Sequence, residues 1–105
     1  MLFVNLTPHT LNIHTPEGVR EIAPSGDVAR VSSSSRRTGH INNIPVYSVT
    51  FGKVTGLPDP VEGTVLIVSG MVATVHPRKD VFSPGELIRD GSGRPIGCNG
   101  LKSSV

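Results

Sequence analysis

Aromatic residues are nearly missing from this sequence: no tryptophan, one tyrosine and three phenylalanines among 105 residues. Aliphatic side chains must therefore fill whatever core the chain builds. Cysteine occurs once, as Cys98, which excludes an internal disulfide and fits a reducing, cytosolic setting. No stretch approaches the ~18 apolar residues that a membrane-spanning helix needs. The apolar opening Met1 to Leu6 carries no basic residue and breaks at Pro8-His9, so it does not read as a signal peptide. A dominant charge is lacking too: ten basic residues against eight acidic ones leave a net charge of +2. The basic residues are scattered from Arg20 to Lys102, and only Arg36-Arg37 and Arg78-Lys79 are adjacent pairs. That pattern gives no footprint for nucleic acid.

Turn formers, by contrast, are plentiful. Twelve glycines and nine prolines make up a fifth of the chain, which suits short strands better than long helices. The length is that of one domain spanning 1–105. Leu2 to Leu6 reads as a strand stopped by Thr7-Pro8-His9. Leu11 to His14 and Val19 to Ile22 alternate apolar and polar residues around Thr15-Pro16-Glu17-Gly18, the pattern of a hairpin. Val28 to Ser32 repeats the alternation. Residues 32–40, without an apolar side chain as far as Gly39, read as a flexible, solvated loop. Ile44 to Phe51 is expected to be an amphipathic strand with Tyr47, Val49 and Phe51 toward the core. Thr64-Val65-Leu66-Ile67-Val68 is expected to be a buried strand. Ser69 to Val75 fits a short helix capped by Ser69 and ended by Pro77, or a strand bulged at Gly70; the helix is the expectation. Asp80-Val81-Phe82 and Glu86 to Arg89 read as two short strands. Asp90-Gly91-Ser92-Gly93 then closes a hairpin to Pro95-Ile96-Gly97. The fold class expected is mainly β: a single small barrel or sandwich of about eight short strands, with at most one short helix near 69–76.

Few motifs carry chemistry. Gly91-x-Gly93-x-x-x-Gly97 lacks the Gly-Lys-Ser/Thr ending of a phosphate loop and is expected to be a hairpin turn. His9, His14, His40 and His76 have no metal-ligand spacing, and Cys98 has no second thiol, so neither metal nor cofactor is expected. Cys98 reads as small apolar filler. Asp80 and Asp90 read as turn formers rather than a paired-carboxylate site. The set with most to offer is Arg78, Lys79, Arg89 and Arg94 with the polar turn residues Asn5, Thr7 and His9. Arginine forks and glycine-turn N–H groups suit phosphate or carboxylate, provided the strand ends bring them to one rim.

Three phrases carry a resemblance. Val4-Asn5-Leu6-Thr7-Pro8-His9, Pro24-Ser25-Gly26-x-x-Ala29-Arg30-Val31, and a tail running from Asp80-Val81 through Pro84-Gly85, Arg89-Asp90 and Gly97-Cys98-x-Gly100-Leu101 resemble a family of small phage and prophage proteins of uncharacterised function. The resemblance implies a phage accessory protein in the cytoplasm of a bacterial host. By analogy with small phage proteins that capture host immune signals, the leading expectation is non-catalytic sequestration of an anionic, nucleotide-derived small molecule. Arg78, Arg89 and Arg94 would hold phosphates beside Asp90, while Asn5 and His9 read ribose or base and Tyr47 or Phe82 stacks. A homo-oligomer with the ligand between subunits fits this expectation. One alternative is an interaction module acting on a host or virion protein. The other is a small nucleotide-directed hydrolase using His9 or His76 with Asp80 or Asp90.

Overall fold

Side chains alternate across a strand, so a sheet that curls can bury one set inside the curl and must cover the other by different means. This chain does both. A computed structural model describes all 105 residues, in the order β1 (Leu2–Asn5), β2 (Leu11–Thr15), β3 (Gly18–Ile22), β4 (Arg30–Ile41), β5 (Ile44–Thr55), β6 (Thr64–Ile67), α1 (Gly70–Val75), β7 (Val81–Arg89) and β8 (Pro95–Ser103). Six strands form one sheet ordered β1-β6-β7-β8-β2-β3, curled into a half-barrel, and β4 pairs only with β5. The mainly β class, the strand number and the single short helix agree with the sequence.

Ile13, Ile67 and Cys98 form a buried cluster with Phe3, Leu11, Ile22 and Leu101 packed against it. Both end strands of the sheet contribute to this cluster, which only the concave face permits. On the opposite face Leu66, Val68 and Val81 pack with Leu6 and Ala29 beneath Val72 and Ala73 of α1. The apolar run at 64–68 thus feeds both cores by alternation. The helix forms where Ser69 caps it: its Oγ accepts the Val72 N–H at 3.3 Å. The Leu11–Ile22 hairpin pairs in the expected register, from Leu11 opposite Ile22 to Thr15 opposite Gly18.

Three expectations are corrected. Residues 32–40 are not a loop: they lie in β4, a twelve-residue strand, solvated as expected but fully extended. Its partner β5 is rich in β-branched and aromatic residues, and the two are joined by a two-residue turn. In that turn Asn42 and Asn43 both adopt positive φ (47° and 67°), the backbone of the tightest hairpins, which asparagine tolerates. Tyr47, Val49 and Phe51 do not face a core. They are 56%, 55% and 48% exposed, because the β4–β5 ribbon projects beyond the barrel and only its root, Val31 and Val54, packs on the main core. Finally, the two short strands expected around Pro84-Gly85 are the single strand β7. β6 pairs only with Val81 and Phe82, so beyond them one edge of β7 is free and admits proline. Gly85 lets β8 approach so closely that a Cβ there would collide with the Asn99 carbonyl oxygen.

Candidate functional site

Asn5 ends β1 and is 1% exposed, so its amide must be satisfied within the protein. Its Nδ2 donates to the carbonyls of His9 (2.7 Å) and Ile22 (3.1 Å). Its Oδ1 accepts the Thr7 N–H at 3.0 Å and the Thr7 hydroxyl at 2.7 Å. Proline at position 8 helps the chain double back so that one side chain can reach all of these groups. Ile22 ends β3, at the far edge of the sheet, so Asn5 clips the two edge strands together where no ladder bond joins them. Arg20 of β3 reinforces the seam, its guanidinium 4.7 Å from the centre of the Phe3 ring on β1. Asn5 is therefore consumed by structure. His9 contributes its carbonyl to the clip and leaves its imidazole exposed at the rim of a groove of about 640 Å³, among Leu11, Leu87, Ile96 and Cys98. None of the residues lining that groove is an arginine or a lysine.

The arginines do not converge. Arg78 precedes β7, and its fork closes on Asp80: Nε to Oδ1 at 2.8 Å and Nη2 to Oδ2 at 2.6 Å. Nη2 also donates to the Pro58 carbonyl at 3.0 Å, and Ser104 brackets the Arg78 backbone. The bidentate hydrogen bond with Asp80, opposed by burial, raises the Arg78 pKa and holds the Asp80 carboxyl below its ordinary range. Arg89 lies at the other end of β7, eight residues and ~26 Å of strand from Val81. It donates to the Gly93 carbonyl at 2.9 Å. Asp90 clasps the same turn, its Oδ1 accepting the Ser92 and Arg94 N–H groups at 2.8 and 3.0 Å. Arg94 is exposed on that turn. Gly91–Gly97 is thus a hairpin turn, as its sequence suggested, and Asp90 is a turn former.

The carboxylates offered for hydrolysis are engaged in the same way, Asp80 by an arginine and Asp90 by turn N–H groups. Every buried polar side chain has a partner within the chain, so none is left aimed at a ligand. Phe82 is half-buried beside β8, whereas Tyr47 lies out on the ribbon, so the two stacking candidates belong to different surfaces.

What sequence reasoning missed is that ribbon. Paired residues of an antiparallel ladder share a face. Ser33, Ser35 and Arg37 stand opposite Phe51, Val49 and Tyr47, while Ser34 and Arg36 stand opposite Thr50 and Ser48. On β5, therefore, one face carries an apolar row, flanked on β4 by Ser33, Ser35 and Arg37, and the other carries hydroxyls beside Ser34 and Arg36. The signal was the Asn42-Asn43 pair between Ile41 and Ile44, a two-residue hairpin turn. No protein-family model, characterised protein or solved structure matches this chain.

Proposed function

We propose that the protein is a non-catalytic phage accessory protein that works by docking on a host or virion protein through its β4–β5 arm. One observation carries the reading: Tyr47, Val49 and Phe51 lie about half exposed along one face of a ribbon two strands wide. A lone two-stranded ribbon is marginal in water, and an apolar row on it is a standing cost until something covers it. Ile41 and Ile44, about two-thirds exposed, pair at the tip on the opposite face, so the end of the arm is apolar as well. The phage setting rests on the resemblance carried by the opening and tail phrases. Sequestration of a nucleotide-like anion needs Arg78, Arg89 and Arg94 at one rim, and with the first and the other two at opposite ends of β7 the support passes to the docking module.

A photo-crosslinking side chain at Val49 tests this in host cells. The expected product joins the arm to a second protein, is absent when the crosslinker stands at Glu86 on the barrel, and disappears when Tyr47 and Phe51 become serine. Crosslinks of equal yield from both positions, or a product of twice the chain mass alone, would refute docking on a host or virion protein.

A further inference from the structure

The charges of this chain divide sharply between its two parts. From Val28 to Pro58, the arm and its root, there are Arg30, Arg36, Arg37 and Lys53 and no acidic residue. The barrel holds the other six basic residues and all eight acidic ones. A net charge of +2 therefore conceals an arm of +4 on a body of −2. Along the sequence these basic residues look scattered, because four of them occupy some thirty positions. Folding into a ribbon sets them on one projection.

The face opposite the apolar row is polar over Ser34, Arg36, Ser48 and Thr50, with Val46 and the Ile41–Ile44 pair beyond them toward the tip. A groove of about 520 Å³ runs over it, lined by Ser34, Arg36, Ser48 and Thr50 and by Arg37 and Thr38. An irregularity in β4 there breaks the alternation and admits Arg37, although its backbone pairs with Tyr47. Ser34 and Thr50 are joined across the strands by a hydroxyl–hydroxyl bond of 2.8 Å, so each keeps further hydrogen-bonding capacity for an outside partner. All six residues are exposed, and no carboxylate lies on either strand to neutralise the arginines.

We propose that this face binds duplex DNA through the sugar–phosphate backbone, without reading sequence. The spread of cations argues for a polymer over a small anion: Arg30 and Arg36 lie six residues apart on one extended strand, ~20 Å. Phosphates at regular intervals along a helix meet such a row, and a single nucleotide does not. A two-stranded ribbon is also of the width that the major groove of B-DNA, about 12 Å, admits, whereas the deep and narrow major groove of RNA does not. Serine and threonine hydroxyls are suitable secondary donors to phosphate oxygens. The apolar row lies on the other face and stays free, so this activity stands apart from docking on a protein.

The test is fluorescence anisotropy of the full-length protein with a labelled 30-base-pair DNA duplex of scrambled sequence. Four phosphate contacts predict that raising NaCl from 50 to 200 mM weakens binding ~100-fold. Replacing Arg36 and Arg37 by serine should weaken binding at 50 mM and cut that salt factor to ~10-fold. Replacing Tyr47, Val49 and Phe51 by serine should leave DNA affinity unchanged, which separates this site from the docking face. Circular dichroism confirms that each variant keeps its sheet. Absence of binding at 50 mM salt overturns the proposal, as does full affinity in the Arg36/Arg37 variant. Equal affinity for duplex RNA or for phosphatidylglycerol vesicles overturns it too.

Discussion

Asn5 shows how one side chain can replace a missing ladder. Its amide uses both donors and both acceptor positions on four groups, two of them carbonyls in other segments of the chain. Alanine at position 5 strands those buried groups, and at ~1–3 kcal/mol for each group left unsatisfied the variant should lose about 3 kcal/mol of stability. Urea denaturation measures this, and a loss under 1 kcal/mol would deny the clip its role. The sequence singled out Asn5 as a polar turn residue, whereas it is the buried last residue of β1. The sequence could not show that the decisive partner is the Ile22 carbonyl seventeen positions away, because a backbone acceptor leaves no trace in residue type.

The Arg78–Asp80 pair gives a pH dependence of definite sign. The Asp80 carboxyl titrates below its ordinary range in the folded protein, so its contribution is complete at neutral pH and is lost as pH falls through that lowered value. Asp80→Asn should cost about 1 kcal/mol at pH 7, a modest figure because the pair is partly open to solvent. The gap between variant and wild type should close as the pH is lowered through the carboxylate range. Thermal melts at pH 7, 5 and 3 follow it, and a gap constant with pH would assign the stability elsewhere. In the sequence the basic residues adjacent to Asp80 and Asp90 are Lys79 and Arg89. Lys79 and Asp80 form a turn, closed by the Val81 N–H on the Arg78 carbonyl at 3.1 Å, and that turn brings the arginine two positions away onto Asp80.

At the scale of elements, strand identity was legible wherever apolar alternation met a turn signal, as at Leu11–Ile22 and Thr64–Val68. It failed where the reason for extension lay in a partner strand. Nothing in Ser32–Gly39 asks for a strand; β5 and the Asn42-Asn43 turn impose one. The direction of β5 failed for a related reason. Its alternation was real, but alternation says only that two faces differ, and here the apolar face looks outward. The arm is consequently an appendage that packs on the core only at its root. Replacing residues 34–49 by a two-residue turn keeps Val31 and Val54 in the core, and should leave the melting temperature of the barrel within a few degrees. Loss of cooperative unfolding in that deletion would show the arm to be structural.

For the whole molecule, the arm dominates the shape. The radius of gyration is 16.5 Å, where a compact chain of this length would have about 13 Å. Only 13 of the 105 residues are fully buried, few enough that the barrel relies on its clip, its seam and its turns as much as on apolar packing. Small-angle scattering should return the extended value for the free protein and fall by about 3 Å on removal of residues 34–49. An unchanged radius would mean that the arm folds back on the barrel.

The tip turn carries one more consequence. Because β4 and β5 pair with nothing but each other, the reach of the arm is independent of the barrel it stands on. Inserting two residues in each strand beside Asn42-Asn43 lengthens it by ~6.6 Å and keeps the orientation of the tip, whereas inserting one in each turns the tip over, and in both cases the faces of the existing strands are unchanged. The arm is in this sense a ruler, and descendants of this sequence can change its length in steps of two without renegotiating the fold.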